Sequence, residues 1–185
     1  MTRQTGLNPT AGTLLGLLAE RPMTGWELVD ETGVRVGNFW TIQRSQAYRE
    51  LAQLAANGHV EALPEEARHR RPYRITDAGR AAYLEWLQEM PADESVRVPF
   101  LLKVAFMDDM PRERFDELLA AQRRRHAERL TRYEQNWREL HGDDTVRGGP
   151  RLATLALGIA YERSTLGWLD ELPGFFEQQT RPDVG

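Results

Sequence analysis

The chain has 185 residues, 41% of them hydrophobic and 28% charged, the balance of one or two folded domains. It has no cysteine, which excludes disulfides, thiolate zinc sites and Cys nucleophiles, and no apolar run approaches the ~18 residues that a membrane span needs. The net charge is -4, and residues 1–91 hold ten Arg against eleven acids, so any affinity for nucleic acid must come from local clustering.

The N-terminal residues Met1 to Gly6 lead into no signal-peptide apolar core, and a cytoplasmic location is the expectation. Leu14, Leu15, Leu17 and Leu18 predict a short apolar helix after Pro9 and Thr10, stopped by Pro22. A second helix starts at Thr24, which forms a capping box with Glu27: hydroxyl and carboxylate each accept from a backbone N–H at the helix start. Gly33 and Gly37 mark a loop. A third helix is predicted from about Thr41 to Asn57, with Ala47, Leu51, Leu54 and Ala55 on its buried side, and Asn57-Gly58 ends it. Val60 to Leu63 reads as a strand, Pro64 to Pro72 as an Arg-rich loop and Tyr73 to Ile75 as the returning strand. Thr76 caps a further helix carrying Ala81, Ala82, Leu84 and Leu87 that ends near Pro91.

The second half reads as purely helical. Val98 to Met107 predicts an apolar helix. From Pro111 to about Leu140 a long helix carries His126, Leu130, Tyr133, Trp137 and Leu140 at spacings of four, three, four and three. A loop from Gly142 to Pro150 precedes a last helix with Leu152, Leu155, Ile159, Glu162, Leu166 and Leu169 at the same average of 3.5. That period lets helices pack lengthwise, within one subunit or between two.

The order helix, helix, helix, strand, loop, strand, helix is that of a winged helix. On a helical wheel, the side of the third helix opposite Leu51 and Leu54 presents Ile42, Ser45, Gln46, Arg49 and Gln53, with Tyr48 on the flank. Planar donors and hydroxyls on one face suit base edges and phosphates. Arg68, His69, Arg70 and Arg71 crowd the tip of the strand–strand loop, where guanidinium groups can meet phosphates or a minor groove.

Residues 14–87 resemble the PadR family of bacterial transcriptional regulators. The stretches Leu14 to Leu18, Pro22 to Leu28, Ser45 to Leu51, Asn57 to Val60 and Arg71 to Gly79 carry the likeness. Val98 to Phe106 and Trp168-Leu169 resemble the virulence-activator-like C-terminal region of one larger subgroup. The resemblance implies a homodimer on a two-fold symmetric operator, usually as a repressor. One departure is Trp26, where the family usually has Tyr; a phosphate contact there would fall to the indole N–H.

The expected fold is mainly α: a winged-helix DNA-binding domain over residues 1–91 and an all-helical dimerisation domain over 92–185. Ser45, Gln46 and Arg49 are expected in the major groove, Arg44 and Tyr48 on the backbone, and Arg68, Arg70 and Arg71 at the wing. Leu152, Leu155, Ile159, Leu166 and Leu169 are the expected dimer seam. The four scattered histidines give no metalloprotease pattern, and phosphate-binding and nucleophile-elbow motifs are absent, so no cofactor, metal or catalysis is expected. In the alternative reading the chain is chiefly a sensor, with Trp86, Trp137 and Trp168 lining a pocket for a small aromatic effector. Buried tryptophans also serve as core filler.

Overall fold

The computed structural model describes residues 6–37, 39–65, 71–93, 97–142 and 149–179, with side chains to residue 175. The chain divides into two compact units, Met1–Asp93 and Glu94–Gly185.

The first unit is built around α1 (Pro9–Leu18), whose Asn8 cap accepts from the Ala11 N–H at 2.9 Å. Seven of its residues are buried, Leu14 and Leu15 completely, because the helix is covered from several directions. Ala47, Leu51 and Leu54 of α3 (Arg44–Ala56), Leu28 of α2 (Gly25–Arg35), and Met23 and Val60 complete the core. Helix α4 (Asp77–Trp86) lies against the glycine face of α1: a Cβ on Gly12 would come within 2.6 Å of the Trp86 ring, and one on Gly16 within 3.1 Å of Tyr83. The Thr24 capping box and the Thr76 cap form as expected.

Several features differ from the sequence expectation, among them the end of α4, which stops at Trp86 rather than near Pro91. Helix α2 continues through Gly33 to Arg35. Helix α3 starts at Arg44 rather than Thr41, because Gln43 takes an extended conformation, and Ala55 is exposed, one step outside the stripe of Ala47, Leu51 and Leu54. The sheet also has a strand more than expected: β1 (Met23–Thr24) pairs antiparallel with β3 (Pro72–Ile75), which pairs on its other edge with β2 (Val60–Ala62).

The second unit is an antiparallel hairpin of α6 (Arg112–His141) and α7 (Gly149–Gln179), with a short α5 (Pro99–Val104) and a 3-10 turn (Met107–Asp109) before it. The apolar run that predicts one helix from Val98 to Met107 is therefore broken at Ala105. The hairpin core is layered. Phe115 and Leu119 meet Leu169 and Leu172 in one apolar layer, and Tyr133 meets Leu155 and Ile159 in another. Between them His126 and Glu162 are buried together, His126 Nδ1 lying 2.5 Å from Glu162 Oε2 and Arg129 Nε 2.9 Å from Glu162 Oε1. Leu119, His126 and Tyr133 are one heptad apart, as are Leu155, Glu162 and Leu169, so the polar layer sits in register with its apolar neighbours.

Candidate nucleic-acid interface

Helix α3 is fixed by packing on one side and by two polar or ring contacts on its flanks. Gln46 Nε2 donates to the buried Thr10 Oγ1 of α1 at 2.8 Å. The Tyr48 ring lies over Gly25, where a Cβ would approach it to 2.6 Å, and still leaves Tyr48 46% exposed. The face left to solvent carries Ser45, Arg49, Ala52, Gln53 and Ala56. Gln46, expected on that face, is instead a half-buried tie to α1: at its wheel position it reaches the neighbouring helix before it reaches open solvent.

The arginines of the first unit divide into two kinds. Arg21 is paired with Glu27 and Glu31, Arg35 with Glu20 and Glu31, and Arg74 with Glu61 across β2 and β3. The Glu20 carboxylate, hydrogen-bonded to Arg35, holds that guanidinium above its ordinary value. Arg44, Arg49 and Arg71 are exposed and make no ion pair among the described residues. Arg80 on α4 likewise makes no ion pair among the described residues but donates to the Ala19 carbonyl at 3.1 Å, so the described guanidiniums left with no protein acceptor lie on α3 and at the foot of the wing. The first N–H groups of α3 lack a side-chain cap, which leaves donors at the positive end of the helix dipole. Arg68 and Arg70 lie outside the described residues.

Two exposed aromatics beside α3, Phe39 and Trp40, were not singled out by sequence, since they belong to no periodic segment. Among the described residues no group of three or more His, Asp or Glu could hold a metal ion, and no helix is long and apolar enough to cross a membrane.

The expected effector and dimer residues are differently disposed. Trp86 packs on α1, within the first unit. In the second unit Trp168 stands edge-on to Phe100 in one apolar layer, and Trp137 belongs to the other, its ring tilted 39° against that of His141, so these two do not come together. Trp137 lines an open cleft of about 560 Å³ with Glu134, Arg138, Ala156, Ala160 and Arg163. Leu155, Ile159 and Leu169 are buried within the hairpin, with Leu152 and Leu166 half-buried, so much of the 3.5-residue seam is consumed inside one subunit. The solvent side of α7 carries a second stripe: Ala153, Leu157, Ala160, Ser164 and Gly167, again spaced four, three, four and three, with Leu157 70% exposed.

Two family models match in tandem: the transcriptional regulator PadR-like family over residues 14–85 and the virulence activator alpha C-terminal region over 96–173. The chain belongs to the PadR-like family of transcriptional regulators. Among its relatives, the negative transcriptional regulator PadR of Bacillus subtilis is 25% identical over 168 residues, covering 86% of this chain and 92% of that protein. The same B. subtilis protein in complex with operator DNA superposes with a TM-score of 0.80 at 21% identity, over 91% of this chain and 98% of that one. In complex with p-coumaric acid it gives 0.74 at 22%, over 90% and 98%. The Vibrio cholerae virulence activator AphA gives 0.73 at 24%, over 92% and 99%. These PadR-like relatives are regulators and not enzymes, and their winged-helix fold is the one described above.

Proposed function

We propose that this PadR-like regulator represses transcription by occupying a two-fold symmetric DNA operator as a homodimer. The observation that carries the reading is the sorting of charge: among the described residues Arg44 and Arg49 on α3 have no protein acceptor, while Arg21, Arg35 and Arg74 are paired with carboxylates and Arg80 is tied to the Ala19 carbonyl. Unpaired guanidiniums on an exposed recognition-helix face have phosphates and guanine edges as their natural acceptors. Ser45 and Arg49 enter the major groove, Arg44 and Tyr48 meet the backbone, and Gln46 holds α3 against α1. Arg68, Arg70 and Arg71 meet phosphates or the adjacent minor groove. The B. subtilis relative, a negative regulator that has been crystallised with operator DNA, supports both the ligand and the sign. Such a protein works where the chromosome is, in the cytoplasm.

In this reading residues 1–91 bind DNA and residues 92–185 dimerise, but the dimer contact moves from the buried seam to the exposed stripe of α7. Small residues at Ala153, Ala160, Ser164 and Gly167 let a second helix approach closely, and Leu157 and Tyr161 supply exposed apolar surface beside them. A second function, effector binding, is favoured by the Trp137 cleft, whose aromatic wall and Arg138, without an ion pair among the described residues, suit a flat aromatic acid, while Arg163 there is paired with Glu134 at 2.7 Å. Ala156 and Ala160 belong to both the cleft and the α7 surface, so an effector there would act on dimerisation. The relative crystallised with p-coumaric acid supports this ligand class.

The test is selection of bound duplexes from a random pool by the full-length protein. Two half-sites related by a two-fold, their centres about one helical turn or a multiple apart, are expected. Recovery of unrelated sequences, or of one unpaired half-site, would overturn the proposal.

A further inference from the structure

The turn between α2 and α3 is built to hold two aromatic side chains outward. Gly37 folds the chain back over the end of α2 so tightly that a Cβ there would come within 2.3 Å of the Gly33 carbonyl oxygen. The Val36 carbonyl then accepts from both the Phe39 N–H at 3.0 Å and the Trp40 N–H at 2.7 Å. With the backbone anchored in this way, Phe39 is 56% exposed and Trp40 44%. Adjacent exposed rings on an ordered turn are commoner at binding surfaces than elsewhere.

Their surroundings point to a polyanion. From Glu31 to Glu50 the intervening chain has no acidic residue and three arginines, of which Arg35 is paired with Glu20 and Glu31 while Arg44 and Arg49 make no ion pair among the described residues. Thr41 to Gln43, at most ~10 Å of extended chain, separate the rings from the start of α3 at Arg44, and Arg49 lies roughly 7.5 Å further along the helix, so the rings flank the surface that Arg49 occupies.

We propose that Phe39 and Trp40 extend the DNA surface beyond α3: the Phe39 ring packs on a thymine methyl that flanks the base read by Arg49, and the Trp40 indole N–H donates to a flanking phosphate. Phe is suited to a thymine methyl, which offers an apolar contact in the major groove and no hydrogen bond. Trp, with one N–H on an apolar body, is suited to the sugar–phosphate wall. The proposal rests on α3 being the DNA-reading helix and adds a thymine preference that α3 alone does not supply.

The experiment uses the full-length protein and its selected operator, with deoxyuridine replacing thymidine one position at a time, which removes one methyl and nothing else. One position per half-site, distinct from the position made indifferent by Arg49→Ala, should weaken wild-type binding about four-fold, the worth of one buried methylene. Phe39→Ala should bind thymidine and deoxyuridine duplexes equally there while keeping the preference that depends on Arg49. Trp40→Ala should weaken operator and scrambled duplexes alike, about five-fold, roughly the worth of one hydrogen bond. Far-UV circular dichroism verifies that both variants are folded. A folded Phe39→Ala that keeps the wild-type thymidine-to-deoxyuridine ratio, or an operator in which no thymine methyl matters, overturns the proposal. If Phe39→Ala leaves DNA binding intact but changes sedimentation, the rings dock a protein and the proposal also falls. In either case sensitivity to Arg49→Ala preserves α3 as the reader, whereas indifference to Arg49→Ala removes that reading too.

Discussion

The two units bury their chain by different means. In the first, α1 is enclosed by α2, α3 and α4, and the buried polar side chains among the described residues are three threonines, two with local partners, Thr24 to Glu27 and Thr32 to the Val29 carbonyl, and one, Thr10, accepting from Gln46 of α3. In the second, two apolar layers are separated by a charged one, His126, Glu162 and Arg129. A unit whose helices cross from several directions is located by shape alone. Two parallel-axis helices with repeating apolar layers are not, since a slip of one heptad restores apolar contact. The polar layer removes that freedom, because only one alignment gives Glu162 its partners, and burying it elsewhere would strand a charge.

The comparison can be broken at its strongest point. Glu162→Leu leaves His126 and Arg129, 2.7 Å apart, without their shared acceptor, and should destabilise the protein by about 3–5 kcal/mol. The double variant His126→Leu/Glu162→Leu should recover most of that loss while permitting more than one hairpin alignment. Urea unfolding measures the first effect. A Glu162→Leu protein within about 1 kcal/mol of wild type would show that the layer is not an energetic constraint, given the ~1 kcal/mol that an ordinary substitution costs.

The next contrast is between the two faces of α7. Ala160→Arg places a charge on the exposed stripe and should yield folded monomers by sedimentation. Ile159→Asp, in the buried seam, should unfold the hairpin instead. Folded dimers of Ala160→Arg would return the dimer contact to another surface.

A smaller effect tests the first unit. Thr24→Ala removes half of the capping box and should cost about 1 kcal/mol. The Thr24 N–H, donating to the Glu27 carboxylate at 2.7 Å, is the main cause that holds Glu27 below the ordinary glutamate value. A lowered carboxylate adds stability at neutral pH and loses it as pH falls below about 4.5 through the lowered value. Thermal melts from pH 7 to pH 3 follow this loss. Thr24→Ala removes the hydroxyl acceptor that orders the box, so its acid loss should be shallower; an unchanged pH profile would show that Glu27 does not need the hydroxyl.

Much of this organisation was legible because local signals were unambiguous. The Thr24–Glu27 box rests on two reciprocal hydrogen bonds, the Thr76 cap on one, and the Asn57-Gly58 stop on one positive φ, Gly58 standing at φ 74°. Strand β1 was not legible: two residues give no alternation, and Thr24 serves both the strand and the next helix. The destination of Gln46 was not legible either, since the wheel gives its direction but not the hydroxyl of Thr10 waiting 36 residues upstream. The 3.5-residue spacing of Leu155, Ile159 and Leu169 was correctly read as a packing face, yet spacing cannot say which helix will use it. The structure gives that face to α6 and leaves the second stripe, which its small residues had concealed.

The account depends most on Arg49. It should be titrated, as wild type and as Arg49→Ala, against the selected operator and a scrambled duplex at several salt concentrations. Loss of about 1–3 kcal/mol on the operator, relaxed preference at one position per half-site and little change on the scrambled duplex are the expected results. Equal weakening on both duplexes, with the loss confined to the salt slope, would make Arg49 a phosphate contact and contradict α3 as the reader of sequence.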